Sequence, residues 1–175
     1  AGLQERLAVL SLGSVDGHRL NSTQEHRRRF SCEHLTAAGQ ALTALVPCIP
    51  NGCLVFLPSR SQLREALQQW REQGVLHSTT DGAESLGPRT ALVEPDSGGE
   101  VAAAVVARYR TLAASPAGAV LLTVMRGRCA EGVDFRDELA RGVVVLGVPY
   151  PGLDTEVRLK KAFERQHGAA WYEAE

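Results

Sequence analysis

Short runs of apolar residues, each about the length of one strand, recur along this 175-residue chain. The clearest are GCLVFLPS at 52–59, TALVEP at 90–95, AVLLTV at 119–124 and GVVVLGVPY at 142–150. Continuous apolar runs of this length are typical of strands that are buried on both faces, as in a parallel sheet covered by helices. RLAVLSL at 6–12 predicts one further short strand, which ends at an Asp-Gly turn signal.

Most of the segments between these runs have the periodicity of helices. Apolar side chains recur at steps of three and four residues from 25 to 45, which predicts a helix that is ended by two prolines. A second helix is predicted to follow Ser59 or Ser61, either of which can cap it, and to end at Gly74. Its inward stripe is Leu63, Ala66, Leu67 and Trp70. Further helices are predicted over 96–114 and 153–168, whereas residues 77–89 have the composition of a loop.

The predicted order is therefore β-α-β-α-β-α-β-loop-β-α. Strands that alternate with helices of ten or more residues indicate an α/β fold, with a mainly parallel sheet and helices on both faces. The length suits one domain, and the chain contains no internal repeat or low-complexity segment.

Charge and cysteine content exclude several classes of protein. The formal net charge of −1 gives no global attraction to nucleic acid, so DNA or RNA binding must depend on a local patch such as Arg27–Arg29. That run can equally be a solvated helix face. No pair of cysteines has C-x-x-C spacing, so no zinc or iron–sulfur site is expected within this chain. Cys53 and Cys129 are predicted to be small buried hydrophobes, and no apolar stretch is long enough to cross a membrane.

The loops at the carboxyl ends of the predicted strands are the candidate site, because parallel α/β sheets bind their ligands there. They are residues 58–60, 94–96, 126–137 and 149–152. Arginine beside serine or glycine can donate hydrogen bonds to phosphate, although strand ends need polar turns in any case. Motifs that would complete an active site, such as G-x-x-x-x-G-K-[ST], G-x-G-x-x-G, H-E-x-x-H and G-x-S-x-G, are absent. The chain alone therefore has no self-sufficient active site.

The loop RGRCAEGVDF at 126–135 contains more charged residues and glycines suited to ligand binding than the other strand-end loops. Its glycines permit close approach of the backbone to a ligand, and its arginines supply fixed positive charge. Its acids can accept hydrogen bonds from ribose hydroxyls or orient an arginine. A loop with both signs of charge and no nucleophile suits binding and coupling better than independent chemistry. Its members are Arg126, Gly127, Arg128, Glu131, Gly132 and Asp134.

Three of these segments together resemble a known family. GCLVFLPS, then VEP, then AVLLTVMRGRCAEGVDFRDELARGVVVLGVPYP have the order and spacing of the second motor lobe of the iron–sulfur-containing superfamily 2 DNA helicases, the relatives of XPD. GVDF-x-D followed by an apolar strand and GVPYP is similar to that family's motif V region, with Ala130 where serine is usual. Within the family, residues 13–42 most resemble the branch that regulates telomere elongation. Residues 140–163 and 171–175 resemble that branch and the Fanconi anaemia group J branch about equally.

The resemblance implies a RecA-like lobe over 1–175, truncated at both ends. It implies that ATP with Mg²⁺ is shared with a first lobe, and that a 4Fe–4S cluster belongs only to that first lobe. By the same resemblance, Gly132 and Asp134 would contact the nucleotide or relay its state, and Glu131 would link the nucleotide site to the DNA site. Ser59, Arg60 and Arg128 would lie near single-stranded DNA or a DNA junction.

The function expected from the resemblance is the second motor lobe of an ATP-dependent 5′–3′ DNA helicase. Such an enzyme would act in the nucleus, in DNA repair or telomere maintenance, and this chain alone would be inactive. An alternative is a non-catalytic module that keeps the lobe to bind DNA or a partner protein. A stand-alone nucleotide-binding protein is disfavoured, because no glycine-rich phosphate loop follows the first strand.

Overall fold

A six-stranded sheet lies at the centre of the chain in a computed structural model, which describes residues 7–20, 30–80, 83–96 and 98–147. The helices are α1 (Cys32–Leu45), α2 (Arg60–Glu72) and α3 (Gly99–Ala113), with 3₁₀ turns at Val46–Cys48 and Asp137–Ala140. The strands are β1 (Ser14–Val15), β2 (His18–Arg19), β3 (Gly52–Leu57), β4 (Leu76–Ser78), β5 (Glu84–Leu86), β6 (Arg89–Val93), β7 (Ala119–Val124) and β8 (Gly142–Val145).

The parallel part of the sheet is formed by the four predicted apolar runs. The strand order is β4-β5-β6-β7-β3-β8, in which β6, β7, β3 and β8 are mutually parallel. β3 lies between β7 and β8, with Gly52 opposite Ala119 and Cys53 opposite Gly142. Every residue of β7, and all of β3 except Phe56, is buried. These strands need no polar face, because helices cover both sides.

Helices cover the two faces of the sheet separately. α1 and α2 pack on one face, where Leu42, Leu63 and Trp70 meet Val55 and Leu122. α3 packs on the other face, where residues such as Val106 and Tyr109 meet Leu54 and Leu121. Alternate residues of β3 and β7 thus enter alternate cores, as the period of a strand requires. The predicted α/β, RecA-like architecture is confirmed.

The local sequence around α2 explains its bounds. The Ser59 hydroxyl caps the helix by accepting a hydrogen bond from the Gln62 N–H at 3.3 Å. The helix ends where Gly74 adopts a φ of +69°, which glycine accepts without strain. All four residues of its predicted inward stripe are buried. The prediction of this helix is confirmed, and Ser59 rather than Ser61 is the cap.

The strand predicted over 6–12 is wrong for its described residues. Residues 7–12 form no strand, and Leu7, Val9 and Leu10 are exposed. An apolar run becomes a strand only when a partner supplies hydrogen bonds, and residues 7–12 have none in the part of the chain described. The Asp16-Gly17 turn signal instead joins β1 to β2, with both residues at positive φ as a tight hairpin requires.

The loop predicted over 77–89 is wrong in part. Residues 77–78 and 84–86 belong to β4 and β5, which pair antiparallel with each other and extend the sheet beyond β6. Leu76 and Leu86 face each other in register and are buried, so two apolar side chains anchor an otherwise polar hairpin. Composition could not show this pairing, because most of the hairpin lies at the solvent-facing edge of the sheet, where polar residues are tolerated.

β8 is only partly buried, which corrects the expectation of a buried strand. Val143 and Val145 are 56% and 54% exposed, whereas Val144 packs against the core shared with α1 and α2. β8 lies at the end of the strand order, so it has one strand neighbour, β3, among the described residues. Residues 148–150 of the predicted strand, the predicted helix 153–168, the loop 149–152 and Arg27–Arg29 lie outside the described residues.

Candidate functional site

A buried carboxylate lies where the carboxyl ends of β6, β7 and β3 meet. Glu94 follows β6 directly, and its side chain is fully buried. The neighbouring ends bring the Ser59–Arg60 corner after β3 and the loop 126–134 after β7 to the same edge, because the three strands are parallel. The structure thus joins three of the four loops that the sequence selects.

Four donors from three segments bind the Glu94 carboxylate. Oε1 accepts from Nη2 of Arg60 at 2.7 Å and from the backbone N–H of Arg128 at 3.0 Å. Oε2 accepts from the hydroxyl of Thr123 and from the N–H of Val124 at 3.3 Å. A charge removed from water costs on the order of several kcal/mol unless such partners compensate it. The arrangement is therefore built around this carboxylate.

Gly127 makes room for the carboxylate. A Cβ added at Gly127 would lie 2.7 Å from both Cδ and Oε1 of Glu94, and closer still to Oε2. No L-amino acid with a side chain fits there unless the carboxylate moves. The glycine is thus explained by close approach to a neighbouring side chain, whereas the sequence suggested approach to a ligand.

The loop 126–134 is a compact turn anchored on α3. The N–H groups of Ala130 and Glu131 both donate to the carbonyl of Gly127, at 3.0 and 2.8 Å. Cys129 is fully buried beside Ala102, and its burial raises the pKa of the thiol to about 11. The predictions that Cys129 and Cys53 are small buried hydrophobes are confirmed. Polar residues of the loop therefore project from a fixed base.

Two of the residues predicted to approach DNA take part in the local structure. Ser59 is the α2 cap, and Arg60 also donates through Nη1 to the carbonyl of Pro95 at 3.1 Å. Arg60 is still 36% exposed at its side chain, and Asp96 lies 4.0 Å from it. The Arg128 side chain is exposed, because only its backbone N–H turns toward Glu94. Contact of these three residues with DNA stays a prediction.

The residues predicted to contact the nucleotide lie on the outer side of the loop. Glu131 and Gly132 are exposed, and Gly132 has a φ of +73° with open space around it. The Asp134 carboxylate pairs with Nε of Arg136 at 2.5 Å, and its backbone carbonyl accepts from Arg110 at 3.3 Å. Both charged partners are largely exposed, so this ion pair is weak and the carboxylate remains accessible. Nucleotide contact also stays a prediction.

Sequence reasoning selected the 94–96 loop but not Glu94 as its central member. A signal was present in β7, where Thr123 is a single polar residue within an apolar run. A buried hydroxyl must find a partner, and a nearby strand-end carboxylate is the natural acceptor. No group of His, Cys, Asp and Glu suited to hold a metal ion occurs among the residues that the structure describes. Within the same residues, no helix is long and apolar enough to span a membrane.

Comparison with known proteins assigns the chain to a family. Residues 42–175 match the helicase C-terminal domain. The chain belongs to the helicase C-terminal domain family. It is 40% identical over 151 residues to regulator of telomere elongation helicase 1 of Mus musculus, and 39% identical over 150 residues to the Homo sapiens protein.

Each of these alignments covers 85% of this chain and 12% of the relative. The Caenorhabditis elegans homolog is 30% identical over 186 residues, which cover 98% of this chain and 19% of that protein. The resemblance to the XPD-like helicases, and to their telomere branch, is therefore confirmed. The chain spans about an eighth of the mammalian relatives it matches.

Proposed function

We propose that the chain is the second motor lobe of an ATP-dependent DNA helicase that moves 5′ to 3′ on single-stranded DNA. The observation that carries the proposal is the meeting of three strand-end loops at one edge of a sheet in a helicase C-terminal domain. In such motors, catalysis consists mainly of positioning and charge stabilisation, so a lobe without a nucleophile or general base can still be essential.

The nucleotide side of this edge would be the exposed part of the loop 126–134. Glu131, Gly132 and Asp134 would contact ATP with Mg²⁺, or relay its state, from one side of a cleft. A first lobe with its own phosphate-binding loop would complete the site, since this chain has no G-x-x-x-x-G-K-[ST] motif. A 4Fe–4S cluster, where present, would belong to that first lobe.

The DNA side would be the Ser59–Arg60 corner together with Arg128. Guanidinium groups bind phosphate irrespective of base sequence, which is what a motor moving along a strand requires. Arg128 offers an exposed guanidinium, whereas Arg60 divides its donors between Glu94, Pro95 and solvent. Arg128 would thus make the stronger phosphate contact.

The cellular role would be DNA repair or telomere maintenance in the nucleus. Support comes from the relatives named as regulators of telomere elongation, at 30–40% identity. The partners would be single-stranded DNA, DNA junctions and the first lobe of the same polypeptide.

ATP hydrolysis tests the proposal. The 175-residue chain alone should show no turnover, whereas a protein that joins it to its first lobe should hydrolyse ATP faster when single-stranded DNA is added. Asp134→Ala in the two-lobe protein should reduce that turnover about tenfold, equivalent to about 1.4 kcal/mol of lost positioning. DNA binding without turnover in the two-lobe protein would favour a non-catalytic module.

A further inference from the structure

We propose that Glu94 is a positioning residue that couples the DNA side of this edge to its nucleotide side. This inference rests on the proposed function, and it identifies the residue that would connect the DNA side to the nucleotide side. Glu94 itself would contact neither the nucleotide nor DNA. It acts through Arg60 on one side and through the loop 126–134 on the other.

A single oxygen atom makes the connection. Oε1 accepts from the Arg60 guanidinium at 2.7 Å and from the Arg128 N–H at 3.0 Å. Any ligand that draws the Arg60 guanidinium away therefore changes the hydrogen bonding of the Arg128 N–H, which lies in the loop carrying Glu131, Gly132 and Asp134. The effect requires no long pathway, because one atom separates the two donors.

The other oxygen holds the carboxylate still. Oε2 is bound by the Thr123 hydroxyl and the Val124 N–H, both at the end of the buried strand β7. Gly127 lies so close beside the carboxylate that a Cβ added there would be 2.7 Å from Cδ of Glu94. Because the side chain is fully buried, water does not compete for these bonds, and they are stronger than at the surface. Because the carboxylate cannot rotate to follow Arg60, loss of the Arg60 hydrogen bond acts on the Arg128 N–H through the shared Oε1.

The geometry makes the ionised carboxylate hard to replace. Glutamine has one acceptor oxygen and one NH₂ group, which only donates. With its oxygen toward Arg60 and Arg128, its NH₂ meets the Val124 N–H. With its oxygen toward Val124, its NH₂ meets both Arg60 and the Arg128 N–H. Glu94→Gln thus keeps the size of the side chain but removes its charge, and in either orientation its NH₂ group faces at least one backbone N–H that had an acceptor in the wild type.

The test measures the ratio of ATP turnover with and without saturating single-stranded DNA, in the protein that joins this lobe to its first lobe. Glu94→Gln should lower this ratio about tenfold, within the range of roughly 5- to 150-fold that coupling between sites spans. Thr123→Val, which removes one donor to Oε2 and keeps the shape of the side chain, should lower it less. Thr123→Val also tests the inference if the Glu94→Gln variant does not fold.

Leu86→Ala is the control for a loss of stability alone. Leu86 is fully buried and pairs with Arg89 at the amino end of β6, away from the strand ends that form the site. Measured below the melting temperature of every variant, Leu86→Ala should keep the wild-type ratio. A wild-type ratio in both Glu94→Gln and Thr123→Val would overturn the inference, as would an equal fall in Leu86→Ala. A wild-type protein without any DNA stimulation would overturn the proposed function itself.

Discussion

Gly127→Ala adds one methyl group at the most crowded point of the site. The new Cβ would lie 2.7 Å from Cδ and Oε1 of Glu94 and closer to Oε2, whereas non-bonded carbon atoms sit at about 3.5–4.0 Å. The Glu94 carboxylate is fully buried and bound on all sides, so it cannot rotate to another position without losing its donors.

The cost follows from the bonds that must break. Displacing Oε2 removes the hydrogen bonds from Thr123 and Val124, and bonds to a charged group contribute about 1.5–3 kcal/mol each. We therefore expect Gly127→Ala to lower the free energy of unfolding by about 3 kcal/mol or more. For a domain of this size, about 2–4 °C is lost per kcal/mol, so Tm should fall by roughly 6–12 °C.

Thermal unfolding of the chain, followed by circular dichroism, measures this change. Gly99→Ala is the matched control, since a Cβ there meets no atom within 4 Å and Gly99 is the first residue of α3. Alanine forms helix better than glycine by up to about 1 kcal/mol, so the control should leave Tm unchanged or raise it. A Gly127→Ala melting temperature within about 2 °C of the wild type would refute the reasoning about this carboxylate.

Three further predictions concern the core, the sheet edge and the DNA face. Burial raises the pKa of the Cys53 and Cys129 thiols from 9.0 to about 11. Their contribution to the free energy of unfolding is therefore complete below pH 9 and is lost as pH rises from 9 to 11, which denaturant unfolding at several pH values should show. Val143→Asp should cost only about 1 kcal/mol, because the side chain is half exposed, whereas Val120→Asp in the buried β7 should unfold the chain, as circular dichroism will show. Arg128→Ala should lower the log–log salt slope of single-stranded DNA binding by about one unit without changing Tm, and an unchanged slope would remove it from the DNA face.

Elements specified by local sequence could be predicted well. α2 has its cap, its apolar stripe and its terminal glycine within sixteen residues, from Ser59 to Gly74, and each of these features acts through neighbours in sequence. β3 and β7 were equally clear, because a strand covered on both faces leaves an unbroken apolar run.

Elements that depend on distant partners could not be predicted in the same way. Residues 7–12 have the composition of a strand and pair with nothing described, whereas the polar hairpin β4–β5 pairs with β6. Strand formation depends on the partner as much as on the residues themselves. The exposure of Val143 could not be predicted for the same reason, because it follows from the position of β8 at the end of the strand order.

The candidate site also combines features that could be predicted from the sequence with features that depend on distant partners. That strand-end loops meet at one edge follows from a parallel sheet, so the region could be predicted from strand order alone. Which side chain turns inward could not, because Glu94 is buried only through donors from residues 123–128 and from Arg60. The sequence placed Arg60 near DNA, and its ion pair with Glu94 is evident only from the three-dimensional structure.

Unwinding polarity tests the proposed motor function most directly. The protein that joins this lobe to its first lobe would be given two labelled duplexes, one with a single-stranded 5′ tail and one with a 3′ tail, with and without ATP and Mg²⁺. We expect ATP-dependent separation of the 5′-tailed duplex and none of the 3′-tailed one. Separation of neither duplex, or of the 3′-tailed duplex alone, would contradict the proposed motor function.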